Sequence, residues 1–118
     1  MQKAWIVLLV LLAGCDFHSA KDRSVVFDAV VLDAVDRRPV AGITWSVITS
    51  RGFGTLEVLD QGVTDARGGF RAEYDYPCCS DPRLEVNGGL DPRYKVGREN
   101  VFGKGRLAPR TILLTRAD

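Results

Sequence analysis

Tyr76-Pro77-Cys78-Cys79-Ser80-Asp81-Pro82 sets two adjacent cysteines between prolines, and adjacent thiols have a short list of chemistries. They can close on each other. Consecutive α-carbons lie about 3.8 Å apart, below the usual disulfide range of about 4.4 to 6.8 Å, so a Cys78–Cys79 ring requires a distorted or cis peptide. Such a ring stiffens its loop and is easier to reduce than an ordinary structural disulfide. Three alternatives stand beside this vicinal disulfide: free thiols with one or both buried, a disulfide to another molecule, and a grip on a soft metal such as monovalent copper. The last two define a thiol-active redox or copper-handling role. With no histidine or methionine nearby, two sulfurs make a poor complete metal site.

Other catalytic groups are scarce. The single histidine, His18, precedes the region that can fold, which excludes Ser-His-Asp or Cys-His catalysis of the usual kind and any multi-histidine zinc site. Asp75, Asp81 and Asp91 could offer calcium oxygens, but their spacing matches no calcium loop and turn solvation accounts for them. No catalytic residue, resident metal or cofactor is therefore expected, and the chain reads as a binding protein rather than an enzyme.

The third cysteine, Cys15, has a different setting. Lys3 is followed by nine uninterrupted apolar residues from Trp5 to Ala13, and Leu12-Ala13-Gly14-Cys15 closes the run. A membrane-spanning helix needs roughly 20 such residues, so this is an export segment rather than a permanent span. The closing residues resemble the lipobox of bacterial lipoproteins. That resemblance implies a signal peptide over residues 1–14, cleavage between Gly14 and Cys15, and lipidation of Cys15 by diacylglycerol and an amide-linked palmitate-type chain. One acyl chain binds a membrane only marginally, whereas two or three hold it stably.

Residues 15–24 then form a polar tether with a root-mean-square reach of roughly 15 to 18 Å. The domain at 25–118 is expected close to the headgroups on the periplasmic side of the cell envelope. Asp16, directly after the lipid cysteine, resembles an inner-membrane retention signal and weakly favours the inner over the outer membrane.

Cleavage would remove one lysine and no acid, leaving the mature side chains balanced at zero net charge. That balance argues against nucleic acid as a partner, since such proteins carry a basic excess. Residues 15–118 suffice for one domain with one ordinary core and not for two.

What must position any site is a set of strands. Val25, Phe27, Ala29 and Val31 share one face, and Ile43, Trp45 and Val47 alternate with Thr44 and Ser46. Leu56 and Val58, then Phe70, Ala72, Tyr74 and Tyr76, then Leu84 and Val86 repeat the period of two, and Thr111 to Arg116 is the last such run. Turn residues separate them at Asp36–Pro39, Arg51–Gly54, Asp65–Gly69, Cys79–Pro82, Gly88-Gly89 and Asp91-Pro92. The pattern predicts an all-β, immunoglobulin-like or prealbumin-type sandwich of six to seven strands, with Phe27, Trp45, Phe70 and Tyr74 facing inward. The segment from Asp91 to Gly105, rich in glycine and charge, reads as its least regular loop.

Two motifs narrow the fold. Ala29-Val-Val-Leu-Asp33, continuing through Asp36 to Pro39-Val40-Ala41-Gly42-Ile43, resembles the opening of carboxypeptidase regulatory-like domains, a branch of the transthyretin (prealbumin) sandwiches. Val63-Thr64-Asp65-Ala66-Arg67-Gly68-Gly69-Phe70 resembles that family's threonine-aspartate turn, and Leu113-Leu114-Thr115 its closing strand. Arg37 and Arg38 stand where the family usually has glycine. Independently of the name, Pro39 presets φ, Gly42 permits positive φ, and Asp65 can cap a turn in which Gly68 or Gly69 is left-handed.

The resemblance implies an accessory or interaction module. Transthyretin relatives that hydrolyse 5-hydroxyisourate use core histidines, an arginine and a tyrosine-arginine-glycine-serine tail; this domain has no histidine and closes on Thr115-Arg116-Ala117-Asp118. The expected partners are the membrane, through the N-terminal lipid, and another envelope protein, through sheet edges or the loops at 78–82 and 91–105.

Overall fold

The computed structural model describes residues 24–50, 54–76, 80–101 and 103–117. Every regular element among them is a strand: β1 (Ser24–Asp33), β2 (Thr44–Ser50), β3 (Leu56–Val63), β4 (Gly69–Asp75), β5 (Arg83–Val86), β6 (Gly97–Asn100), β7 (Gly105–Arg106) and β8 (Arg110–Leu114). They form two four-stranded sheets packed as a sandwich. In the first, β1 pairs antiparallel with β4 along one edge, and along the other it pairs in parallel with β7 near its start and with β8 near its end. The second is antiparallel throughout, in the order β3-β2-β5-β6.

The period of two explains the core. Val25, Phe27, Ala29 and Val31 are buried on β1, opposite Trp45 and Val47 of β2 and Leu84 and Val86 of β5, with Ala72, Tyr74, Ile112 and Leu114 completing the layer. Phe27 meets Phe70 and Tyr74 edge to face, with ring centroids 6.2 and 6.5 Å apart. Trp45 crosses between the sheets to stack on half-buried Phe70 at 4.4 Å and 17°. Burial pushes the pKa of the Tyr74 phenol up to about 12, and its hydroxyl finds no hydrogen-bond partner among the described residues.

Gly62, opposite Trp45 across the β2–β3 pair, lies against the indole, and an added Cβ would sit 2.9 Å from the ring. Gly62→Ala is therefore expected to push Trp45 off Phe70 and destabilise the domain by about 1–3 kcal/mol, the usual cost of overpacking. Urea denaturation followed by tryptophan fluorescence reads the loss; an unchanged midpoint and emission would refute this packing.

Two expectations are corrected. Among the described residues there are eight strands rather than six or seven, because the segment read as the irregular loop from Asp91 to Gly105 contains β6 and begins β7. On β3 the register slips between Val47 and Ile48, so Leu59 packs on the core while Leu56 and Val58 are exposed. A bulge of this kind inserts one residue and shifts which side chains each face receives. Ser24, placed in the tether by its polarity, is already paired with Asp75 at the start of β1.

β3 is also an edge strand, and an open edge invites pairing with other chains. Asp60 covers its middle. One carboxylate oxygen accepts from Gln61 N at 2.9 Å and the other from Glu73 N on β4 at 2.8 Å, tying together the edges of the two sheets.

The turns follow their chemistry. Asp65 Oδ1 accepts from Arg67 N and Gly69 N, both at 2.9 Å, and Gly68 rather than Gly69 takes the left-handed conformation, at φ 74°. Gly42 is left-handed at the same angle, and Arg37 adopts φ 64°.

The registers fix the two ends of the sandwich. Ser24, Ser50, Leu56, Asp75, Arg83 and Asn100 lie at one, and Asp33, Thr44, Val63, Gly69, Val86 and Leu114 at the other. At about 3.3 Å per residue, the ten residues of β1 separate them by roughly 30 Å.

Candidate functional site

Asp33 continues the buried series of β1 by two more residues, so the strand's own alternation carries a carboxylate into the end of the core, where it is 3% exposed. A buried charge must find partners. Oδ1 accepts from Val35 N at 2.8 Å and Asp36 N at 3.3 Å, in the turn that follows β1. Oδ2 accepts from the Tyr94 hydroxyl and Arg116 Nε, each at 2.9 Å. Arg116 also reaches Asp36 at 3.3 Å.

Tyr94 and Arg116 are themselves joined by a β-bridge. Lys95 N donates to Thr115 O and Ala117 N to Arg93 O, so the 91–95 segment runs against the chain leaving β8. Asn87 holds the other side of this loop. It is 1% exposed, left-handed at φ 68°, and its amide donates to Asp91 O and Tyr94 O while Oδ1 accepts from Asp91 N at 2.7 Å. Asp91 and Arg93 close a short pair at 2.7 Å outside it.

Desolvation opposes the charge on Asp33, yet the bonds from Val35 N, Arg116, Tyr94 and Asp36 N outweigh it and hold its carboxyl well below the usual carboxylate range. The Tyr94 phenol moves up, through burial and through donating to Asp33. Asp91 falls to about 2 because the Arg93 side chain and backbone donate to it. Asp33 thus remains an anion and Tyr94 a proton donor. A carboxylate with both oxygens occupied is a poor general base, and the group acts as a brace clamping three chain segments together. An open cleft of about 430 Å³ lies over it, lined by Asp36, Pro92, Arg93, Tyr94, Arg116 and Ala117.

The residues singled out from sequence fall elsewhere. Gly14, Cys15, Asp16, Cys78 and Cys79 lie outside the described residues. Tyr76 and Ser80, which flank the cysteine pair, stand at the Ser24 end of the sandwich, opposite the Asp33 brace. Asp75 accepts from Ser24 Oγ at 2.6 Å at that end and Asp91 pairs with Arg93 at the other, so the three turn carboxylates are not brought together. Among the described residues no cluster of three His, Cys, Asp or Glu side chains could hold a metal.

Local sequence pattern does not mark Asp33, Asn87, Tyr94 and Arg116 as a group. Asp33 had a signal, since it occupies the next inward position after Val25, Phe27, Ala29 and Val31. Its partners, 61 and 83 residues away, have none.

No protein-family model and no curated protein matches this sequence. Among solved structures, the chain is similar to a catechol 1,2-dioxygenase from Acinetobacter sp. ADP1, with TM-score 0.54 and 12% identity over 86% of this chain and 55% of that one. It also aligns with a 9R-lipoxygenase from Cyanothece PCC8801 at TM-score 0.49 and 18% identity, over 98% of this chain and 22% of that one. A 5-hydroxyisourate hydrolase from Klebsiella pneumoniae aligns at TM-score 0.43 and 19% identity, over 75% of this chain and 89% of that one. This chain therefore spans about half of the dioxygenase and about a fifth of the lipoxygenase. At such identities the likeness to the dioxygenase speaks for the β-sandwich alone.

Proposed function

We propose that this protein is a lipid-anchored binding module of the bacterial cell envelope, a carboxypeptidase regulatory-like sandwich of the transthyretin type that works through its loops rather than by catalysis. The observation that carries the binding reading is the Asp33 brace. It uses its acidic and phenolic groups on one another and on backbone amides, and so gives three surface loops a fixed shape instead of presenting a reactive group. Loops on a rigid sandwich are a common place for recognition.

The anchor rests on Leu12-Ala13-Gly14-Cys15 after its apolar run. Because Ser24 opens β1, a lipid on Cys15 would turn the Ser24 end toward the headgroups and the Asp33 end away from them. Metabolic labelling with a palmitate analogue tests this: the wild type is expected to take up label and fractionate with membranes, and Cys15→Ala to lose both. Label retained by Cys15→Ala would remove the lipoprotein reading. Crosslinking the anchored protein in membranes tests the binding role, which requires a defined envelope partner.

A further inference from the structure

We infer that the Asp33 end of the sandwich is a docking surface for an acidic protein partner, recognised by a basic rim around an apolar centre. The inference deepens the binding-module reading and is independent of the lipid anchor.

Charge is unevenly spread along the molecule. The turns at this end carry Asp33, Asp36, Asp65 and Asp91, and each is occupied locally. Asp33 and Asp36 hold Arg116, Asp36 also accepts from Arg38 N, Asp65 accepts two backbone amides, and Asp91 holds Arg93. Arg37, Arg38, Arg67 and Lys95 are exposed, and no ion pair joins them to an acid among the described residues. Among the described residues these turns hold six basic side chains against four acidic ones, whereas the remainder holds six basic against eight acidic. There Asp60 bridges the β3–β4 edge and Asp28 is shared by Arg71 and Arg106. Among the described residues, the excess of basic side chains therefore gathers at the Asp33 end. A field of this kind steers an oppositely charged partner to one face.

The same end presents exposed apolar side chains. Val35 is 70% exposed and Leu90 69% exposed. Leu90 stands at φ 61°, a conformation that a bulky non-glycine residue rarely adopts. The three described non-glycine residues with positive φ, Arg37, Asn87 and Leu90, all lie in these turns, and strained backbone tends to gather at functional surfaces. Asn87 is buried and fixes the loop; Leu90 is strained and points its apolar bulk at solvent. Val35 lies in the turn after β1 and Leu90 in the loop after β5, both at this end of the sandwich. Arginine is enriched at protein interfaces, and exposed apolar side chains among arginines suit a protein partner.

The β3 edge also exposes Leu56 and Val58. It lacks the basic rim, and Asp60 closes its middle.

The test titrates the isotope-labelled full chain, in zwitterionic detergent micelles, with a soluble peptide of Glu-Glu-Leu repeats. Amide shifts are expected to concentrate at 34–38, 66–68, 88–95 and 115–117, and affinity to fall as salt rises. Combined Arg37→Glu, Arg38→Glu and Arg67→Glu is expected to weaken binding at least about tenfold. Leu90→Gly relieves the positive φ, and is expected to keep or raise thermal stability while weakening binding severalfold. Shifts centred on β3, equal binding of a Lys-Lys-Leu peptide, or indifference to these substitutions would overturn the assignment. Phosphatidylglycerol vesicles that perturb the same amides as strongly as the peptide would overturn a protein partner in favour of anionic lipid. If crosslinking in membranes recovers a partner that only β3 substitutions abolish, the binding-module reading stands and this surface falls.

Discussion

Gly68→Ala is expected to destabilise the domain by about 2–5 kcal/mol, whereas Gly69→Ala, one residue on, should change stability by no more than about 1 kcal/mol. The contrast follows from the backbone. Gly68 is left-handed at φ 74°, where an L side chain costs roughly 1–2 kcal/mol, and its added Cβ would lie 2.5 Å from Val31 O. That carbonyl cannot simply swing away, because it accepts from Val40 N at 2.9 Å while Val31 N donates to Gly68 O at 2.8 Å. Moving it strands a buried donor at about 1–3 kcal/mol more. At Gly69 the nearest atom to a new Cβ is Asp65 Oδ2 at 3.3 Å, the tip of an exposed side chain. For a domain of this size each kcal/mol is worth roughly 4–8 °C, so thermal melts of the two variants should separate by at least about 4–8 °C. Equal melts, or a worse Gly69→Ala, would mean that the turn is not built this way.

That turn also marks how far the sequence could be read. Thr64-Asp65-Ala66-Arg67-Gly68-Gly69 names its chemistry locally, since an aspartate that caps its own turn and a glycine that goes left-handed are neighbours in the chain. Which glycine does so depends on Val31, which β1 brings alongside. The buried face of β1 was equally legible because alternation is a local property, and the same alternation delivers Asp33 to the core. The inward turn of Leu59 was not legible. The bulge opposite Val47 and Ile48 is a property of the β2–β3 pair, and either strand alone reads as regular. The Asp33 brace lies further still from local pattern: Tyr94 and Arg116 reach it only because a loop braced by Asn87 runs against the chain after β8. Arg37 shows the converse. Its left-handed turn is adopted without the expected glycine, helped by Arg38 N donating to Asp36 Oδ1 and Arg37 N to Asp33 O.

Acid should loosen the domain mainly through its braced carboxylates, and Asp33 supplies the clearest signature. A carboxyl whose folded pKa lies below its unfolded value of about 3.9 binds fewer protons in the native state, so its stabilising contribution is complete above that value and is lost as pH falls toward the folded pKa. Asp33 is held well below the usual range, Asp65 is lowered by the amides of Gly69 and Arg67, and Asp91 is lowered to about 2. The melting temperature is therefore expected to be flat from pH 7 to about 5 and to fall steeply from about 4 toward 2. Asp33→Asn should melt lower than the wild type at pH 7, because Arg116 loses its buried anion. The gap should narrow as pH drops below about 4, where the wild type begins to give up what the variant never had. Tyr94→Phe and Arg116→Ala each remove one donor from Asp33 and raise its folded pKa, so their acid limbs should begin near the same pH as that of the wild type but level off at higher pH and with a smaller loss. A gap between wild type and Asp33→Asn that stays constant from pH 7 to 2 would show that Asp33 contributes through shape alone, and that the charge at the end of β1 is not what clamps the 33–36, 91–95 and 115–117 segments together.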